Sequence, residues 1–118
     1  MPEAKGQRSA VTRNIKDSNP QLDSVERAMR VIGGKWKGSI LWHLKDGPVR
    51  FNDLARLLGG ATRKMVNDRL KQLEAEGLVS RHVLSTRPIA VAYAITDYGR
   101  TALPVLAKVR EWAERNGI

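Results

Sequence analysis

Two short amphipathic segments, separated by a pair of glycines, constrain the fold of this chain more than any other feature of its sequence. The first segment repeats leucine at helical spacing and stops at Gly59-Gly60, a common helix end. The second segment starts after Thr62, a favourable N-cap, and places an apolar residue at every third or fourth position. Its predicted buried row is Val66, Leu70 and Leu73. The pattern predicts two helices that meet at a tight turn.

Two β-prone runs follow the second helix, over residues 78–84 and 89–95. Ser85-Thr86-Arg87-Pro88 lies between them and predicts a hairpin with a four-residue tip. Two helices joined by a glycine turn and followed by a hairpin are typical of a winged helix-turn-helix.

Further helices are predicted on both sides of this unit. Apolar spacing predicts a first helix that ends at Gly33-Gly34, a second that ends at the turn over residues 46–48, and Asn52 as a cap of the third. Thr96 is expected to cap a single last helix that reaches about Arg115 and bends at Pro104. The fold class is therefore mainly α with a small β-hairpin (α+β), in the order helix, helix, helix, helix, hairpin, helix.

The domain organisation follows from the same pattern. Residues 1–20 lack an apolar period and predict a flexible basic arm with four Lys and Arg, which either contacts phosphates or is inert. Residues 21–118 are predicted to form one domain, since 42% hydrophobic residues are enough for one core.

Charge and cysteine content narrow the classes of function. The net charge of +9 favours a polyanionic partner, with nucleic acid ahead of a membrane surface, although a basic chain can also simply be soluble. No cysteine is present, which excludes disulfides, thiolate zinc sites and thiol chemistry within these residues. Neither a signal peptide nor a membrane span is indicated, so a cytoplasmic location without membrane partners is expected.

The polar face of the predicted fourth helix is the first candidate binding surface. Lys64, Asn67, Asp68 and Lys71 lie opposite the apolar row, and Arg63 lies beside them. Lys and Arg can pair with guanine or phosphate, and Asn can pair with adenine in the major groove. A solvated helix face is the alternative.

The hairpin is the second candidate. It contains Arg81, His82 and Arg87, and no acid occurs between Gly77 and Thr96. Such a hairpin can contact DNA phosphates or the minor groove. An exposed hairpin with incidental arginines is the alternative.

Catalytic, cofactor and metal sites are not indicated. His43 and His82 fall on different elements, with no acid or histidine at ligand or general-base spacing. The tryptophans at Trp36, Trp42 and Trp112 fit core or dimer contacts better than a ligand cage. No catalytic residue, metal ligand or cofactor is therefore predicted.

The sequence resembles the HxlR-type winged-helix regulators of bacteria. The resemblance starts at VERAMRVIGGKW, over residues 25–36, and continues through DGPVRFNDLARLL and ATRKMVNDRLKQLEAEGLVSR to VAYAITDYGRTALPVLAKVREWAE. It implies a sequence-specific, homodimeric transcription regulator with residues 62–76 in the major groove of double-stranded DNA. The DNA contacts expected from the resemblance and the helix faces are Arg50, Asn52, Thr62, Arg63, Lys64, Asn67, Lys71, Arg81 and Arg87.

Dimerisation is expected through the first and last helices, where an apolar row extends beyond what a domain of this size needs. The predicted dimer residues are Val25, Met29, Leu103, Leu106, Val109 and Trp112. A two-fold dimer implies an inverted-repeat operator. The alternative is a last helix that folds back on its own domain.

One departure from the family pattern affects regulation. Many relatives carry Cys-Pro before the VERA run, where this chain has Asp23 and Ser24, so thiol sensing there is excluded. Two other functions stay open: a winged-helix domain that binds an acidic protein, and a sensor of an unidentified small-molecule effector. An apolar pocket between the terminal helices and the core would favour the sensor.

Overall fold

The computed structural model describes residues 20–118, so nearly all of the predicted arm lies outside the described residues. The described chain forms six helices and a three-stranded sheet. In chain order they are α1 (Pro20–Ile32), α2 (Lys37–His43), β1 (Val49–Arg50), α3 (Phe51–Leu57), α4 (Arg63–Ala75), β2 (Val79–Thr86), β3 (Ile89–Ile95), α5 (Asp97–Arg100) and α6 (Leu103–Arg115). The predicted winged helix-turn-helix fold is confirmed.

The sheet has a third strand that the sequence pattern did not predict. β1 pairs antiparallel with β3, and the strand order is β1-β3-β2. The predicted four-residue hairpin tip is wrong, because Thr86 pairs with Ile89 and leaves only Arg87-Pro88 at the tip. The pairing reaches this far because an irregularity at Leu84 shifts the register of β2 by one residue.

The predicted last helix is divided in two. α5 ends at Arg100 and α6 starts at Leu103, which puts Pro104 in the first turn of α6. Proline is tolerated there because the first N–H groups of a helix have no helical acceptor, so the predicted bend at Pro104 is wrong. Thr96 caps α5 as predicted, with its Oγ1 accepting a hydrogen bond from Gly99 N at 2.9 Å.

The predicted cap at Asn52 is also wrong. α3 starts at Phe51, with Arg50 in the cap position and no side-chain cap hydrogen bond. Asn52 is thus the second residue of α3, and its side chain is free for the contact with α4 described below.

A single apolar core joins the helices to the sheet and holds α4 in place. The largest fully buried side chains are Ile40, Leu41, Leu44, Leu54, Val66, Leu70, Leu73 and Leu78. Three of them are the predicted inward row of α4, which lies against α2 and β2. The opposite face of α4 is therefore presented outward. None of the helices within residues 20–118 has the length and apolar character of a membrane-spanning segment.

Candidate nucleic-acid interface

The start of α4 is fixed by a side-chain cap. Oγ1 of Thr62 accepts a hydrogen bond from Met65 N at 3.1 Å, which satisfies one of the free N–H groups of the first turn. Because the inward row is fully buried, Arg63, Lys64 and Lys71 are exposed on the outer side. The predicted reading face is therefore the solvent-facing side of α4.

Arg63 connects the starts of α3 and α4. Its Nη2 donates a hydrogen bond to Oδ1 of Asn52 at 2.8 Å, and its guanidinium lies 4.9 Å from the ring centre of Phe51. Both contacts leave the arginine exposed to solvent while restricting its rotamers. Arg63 is thus preorganised to meet an anion or a base edge.

Lys64 is paired within its own helix. Its Nζ lies 2.8 Å from Oδ2 of Asp68, one turn further along α4. The hydrogen bond from Lys64 holds the pKa of Asp68 below its ordinary value, and the charges of Lys64, Lys71 and Arg69 add to this effect. Asp68 is therefore ionised at neutral pH, and a phosphate or base that binds Lys64 competes with this carboxylate.

A cleft of about 510 Å³ lies between the first residues of α3, the outer face of α4 and the sheet. Five of the predicted DNA contacts line it, namely Arg50, Asn52, Arg63, Asn67 and Arg81. They come from four different elements, and Arg81 enters from β2, where it pairs with Tyr93 of β3. The tertiary fold thus brings these five separately predicted residues together in one basic surface.

The cleft also contains a basic residue that the sequence analysis missed. Arg56 lines the cleft one turn after Asn52 on α3, and it forms an ion pair with Asp53. Its spacing of four residues from Asn52 is the signal that could have identified it.

Four predicted contacts lie outside the lining of the cleft, and one of them is the capping residue Thr62. The other three are exposed: Lys64 and Lys71 on α4, and Arg87 at the hairpin tip. They extend the basic surface beyond the cleft in two directions. Among residues 20–118, no group of histidines and acids could hold a metal ion.

The predicted dimer residues form two groups. Val25, Met29, Val109 and Trp112 are each more than half exposed. Leu103 and Leu106 instead pack against the core of their own domain. Val105, also half exposed on α6, was not predicted. One side of α1 and one side of α6 thus each carry exposed apolar side chains.

The fold and the cleft define a winged helix-turn-helix domain with a basic outer surface on α4. The family model described as HxlR-like helix-turn-helix matches residues 31–117. The chain belongs to the HxlR-like helix-turn-helix family of transcriptional regulators.

Similar proteins agree in sequence and in fold. The HTH-type transcriptional regulator YybR of Bacillus subtilis (strain 168) is 42% identical over 92 residues, which cover 78% of this chain and 74% of YybR. The solved structure of the redox regulator HypR in its reduced form is 42% identical, with a TM-score of 0.75 over 79% of this chain and 92% of HypR. The reduced form of YodB from B. subtilis is 32% identical, with a TM-score of 0.67 over 84% of this chain and 94% of that chain.

Proposed function

We propose that this chain is a sequence-specific regulator that binds double-stranded DNA with α4 in the major groove. The convergence of Arg50, Asn52, Arg63, Asn67 and Arg81 on one cleft at the start of α4 carries the proposal. A helix whose N-terminal residues face outward can reach base edges, while residues from α3 and the sheet contact the flanking backbone.

The residue types in this surface suit two kinds of contact. Arginine can bind phosphate or guanine through two parallel hydrogen bonds, and Asn67 can pair with adenine in the same way. Arg81 and Arg87 belong to the sheet and its tip, which favours them as phosphate contacts. We therefore assign sequence reading to α4 and orientation to the hairpin.

We further propose that two copies of the chain bind an inverted-repeat operator. The exposed apolar sides of α1 and α6 support this part of the proposal, since exposed apolar patches commonly mark protein interfaces. A two-fold dimer presents two recognition helices to half-sites about one helical turn, roughly 34 to 36 Å, apart.

The group that senses the controlling signal cannot be a cysteine within these 118 residues, since none is present. HypR is named as a redox regulator and has been solved in oxidised and reduced forms. We propose that the signal for this chain is not the oxidation of a thiol within these residues.

Selection from random duplex DNA with the full chain, followed by shift titrations at several salt concentrations, tests the function. A two-fold symmetric consensus and a steep fall of affinity with salt are expected. Lys64→Ala and Asn67→Ala should each reduce discrimination at one base pair per half-site, by about 1 to 3 kcal/mol.

Arg115→Ala, at the last residue of α6, removes a positive charge distant in sequence from the cleft and serves as the control. It should discriminate as the parent does. A chain that shows no sequence preference at any salt concentration, or that binds only an acidic protein, would contradict the proposal.

A further inference from the structure

The outer end of the β-hairpin carries apolar side chains that the core does not bury. Ile89, the first residue of β3, is 70% exposed, and Val83 of β2 is 51% exposed. Side chains alternate between the two faces along a strand, so Ile89 lies on the same face as Val91 and Tyr93. Tyr93 is buried in the core, and Val91 packs against that core. The apolar row that forms the core at one end of β3 thus continues into solvent at the other end.

This row forms part of the wall of the basic cleft. Ile89, Val91 and Tyr93 line the cleft together with Arg81 of β2. Arg81 pairs with Tyr93, and Val83 pairs with Val91. Since directly opposed residues of two strands share a face, Arg81 and Val83 also point to the side of Ile89. The sheet therefore gives the cleft a wall that is basic near the core and apolar at the hairpin tip.

The charges around the apolar end restrict what can cover it. Arg87 is exposed at the tip, and residues 78–95 contain no Asp or Glu. On the helical side of the cleft Arg56 and Arg63 are exposed, and Asp53 is paired with Arg56. A purely apolar partner would leave these arginines buried without an opposite charge, which is costly. A polyanion that also offers apolar surface, as DNA does with its sugars and base edges, suits both features.

The position of the apolar end relative to α4 indicates which groove of DNA it meets. With α4 in the major groove, the cleft beside this helix receives the flanking sugar-phosphate strand, and the arginines on both walls contact its phosphates. One such strand separates the major groove of a duplex from the minor groove. The sheet wall on the far side of the cleft therefore faces the minor groove, with Ile89 at its outer end.

We propose that Ile89 is a specificity-determining residue that selects against guanine at the base pair under the hairpin tip. In the minor groove guanine presents an N–H donor, its N2 amino group, whereas A·T pairs present only acceptors. Isoleucine has no acceptor, so its contact with G·C removes water from this amino group without replacing the hydrogen bond. Adenine has a C–H group at the same place, which accepts an apolar contact. The inference rests on the proposed function and adds a second reading element to α4.

Operator duplexes with single base-pair replacements test this contact with the full chain. Each base pair that flanks the α4 contacts is made A·T, G·C or inosine·C in turn, because inosine is guanine without the N2 amino group. At one or two pairs per half-site, G·C should bind about fivefold or more weakly than A·T, and inosine·C should bind like A·T. Deoxyuracil in place of thymine, which removes only a major-groove methyl group, should have no effect at these pairs.

Variants of Ile89 test whether this side chain is the source of the discrimination. Ile89→Asn supplies an acceptor for the guanine amino group and should remove the difference between G·C and inosine·C, whereas Ile89→Leu should keep it. Ile118→Asn is the matched control, since Ile118 is 76% exposed and lies beyond α6. It should discriminate as the parent does. Because Ile89 is exposed, its variants should fold, which a urea titration checks.

The possible results separate this inference from the proposed function. If the chain binds a selected operator but G·C and inosine·C bind equally at every flanking pair, the inference is overturned and the proposed function stands. An Ile89→Asn variant that binds all duplexes more weakly but keeps the difference also overturns it, because the role of Ile89 is then structural. A chain with no operator at all fails the proposed function, and the inference with it.

Two further results would assign the apolar end to another contact. An effect of deoxyuracil that disappears in Ile89→Asn would place this side chain in the major groove and overturn the inference. Sedimentation of the free chain provides the second check. If Ile89→Asn dissociates an assembly that Ile118→Asn leaves intact, a second copy covers the tip and the inference is overturned.

Discussion

Nη2 of Arg63 donates its hydrogen bond to Oδ1 of Asn52 across 2.8 Å, and so links the first residues of α4 to those of α3. The ring of Phe51 supports the same guanidinium. The sequence pattern predicts α3 and α4 as separate helices, and these two contacts join their first residues into one preorganised surface. The predictions below test this surface, its neighbours and the fold that holds it.

Arg63→Lys keeps the charge but loses both the planar fork and its stacking on Phe51. The affinity for the selected operator should fall by about 1 to 3 kcal/mol, while the salt dependence should stay the same because the charge is conserved. Shift titrations at four salt concentrations measure both quantities. Arg115→Lys is the control, and equal operator affinities of Arg63→Lys and the parent would argue against a directional role for the guanidinium.

Asp68→Asn removes the carboxylate that pairs with Lys64. The freed ammonium should bind phosphate more readily, which strengthens non-specific DNA binding and steepens the slope of log affinity against log salt by up to about 0.9. Fluorescence anisotropy with a random duplex measures this effect. A variant with weaker non-specific binding would indicate that Asp68 positions Lys64 for contact instead of competing for it.

The pH dependence of this pair follows from the lowered pKa of Asp68, whose ordinary value is 3.8. A carboxyl with a lowered folded pKa contributes stability above its unfolded pKa and loses that contribution as the pH falls through the folded value. Asp68 should therefore stay ionised between about pH 5.5 and 7.5. Over this range, the difference between the parent and Asp68→Asn should be constant, both in stability and in DNA affinity. A difference in DNA affinity that changes across this range would exclude simple ionisation of Asp68 as its source.

Arg81→Ala and Arg87→Ala should weaken binding to all duplexes nearly equally. Each loss of a phosphate contact should reduce the salt slope by about 0.9, with little change in sequence preference. Titrations of operator and random duplexes over a salt series measure both. Slopes that match the parent would remove the hairpin from the interface.

Val109→Ser and Trp112→Ser, made together, should shift the chain toward monomer. Both side chains are more than half exposed, so the fold itself should survive, which circular dichroism checks. Operator affinity should fall much more than half-site affinity, because only the full operator needs two copies. Sedimentation at micromolar concentration measures the state of assembly, and a monomeric parent would disprove dimerisation.

Gly99→Ala tests the packing between α5 and the sheet. An added Cβ would lie 2.2 Å from the carbonyl oxygen of Leu78 and 2.7 Å from Cγ1 of Ile95. The free energy of unfolding should fall by about 1 to 3 kcal/mol. At Gly59 an added Cβ would have no atom within 4 Å beyond its chain neighbours, so Gly59→Ala should change this free energy by less than about 0.5 kcal/mol in a urea titration.

Local pattern predicted much of this fold. The buried row of α4 and the cap at Thr62 were correct, because helical spacing and cap hydrogen bonds connect residues three or four positions apart. The same holds for the cap at Thr96. Once the buried side of α4 was predicted, its exposed side was the opposite one, and this prediction needed no information about the other helices or strands.

The errors have non-local causes. β1 has only two residues and exists because Val49 pairs with Tyr93, far away in sequence. The place of Pro104 depended on where α6 starts, and an uninterrupted apolar pattern concealed the break after Arg100. Family resemblance supplied Arg50 and Asn52 as candidate contacts, but it did not relate them to Arg63.

The sequence by itself determined the first four helices, which of their faces are apolar and which family the chain resembles, because these properties depend on the order and spacing of neighbouring residues. Only the tertiary structure decided that four elements share one basic cleft, and that Leu106 packs inward while Val109 remains exposed. It alone brought the carbonyl oxygen of Lys35 within hydrogen-bond distance of Arg69 in α4. Such relationships depend on how the helices and the sheet pack together, and that packing brings together residues from distant parts of the chain.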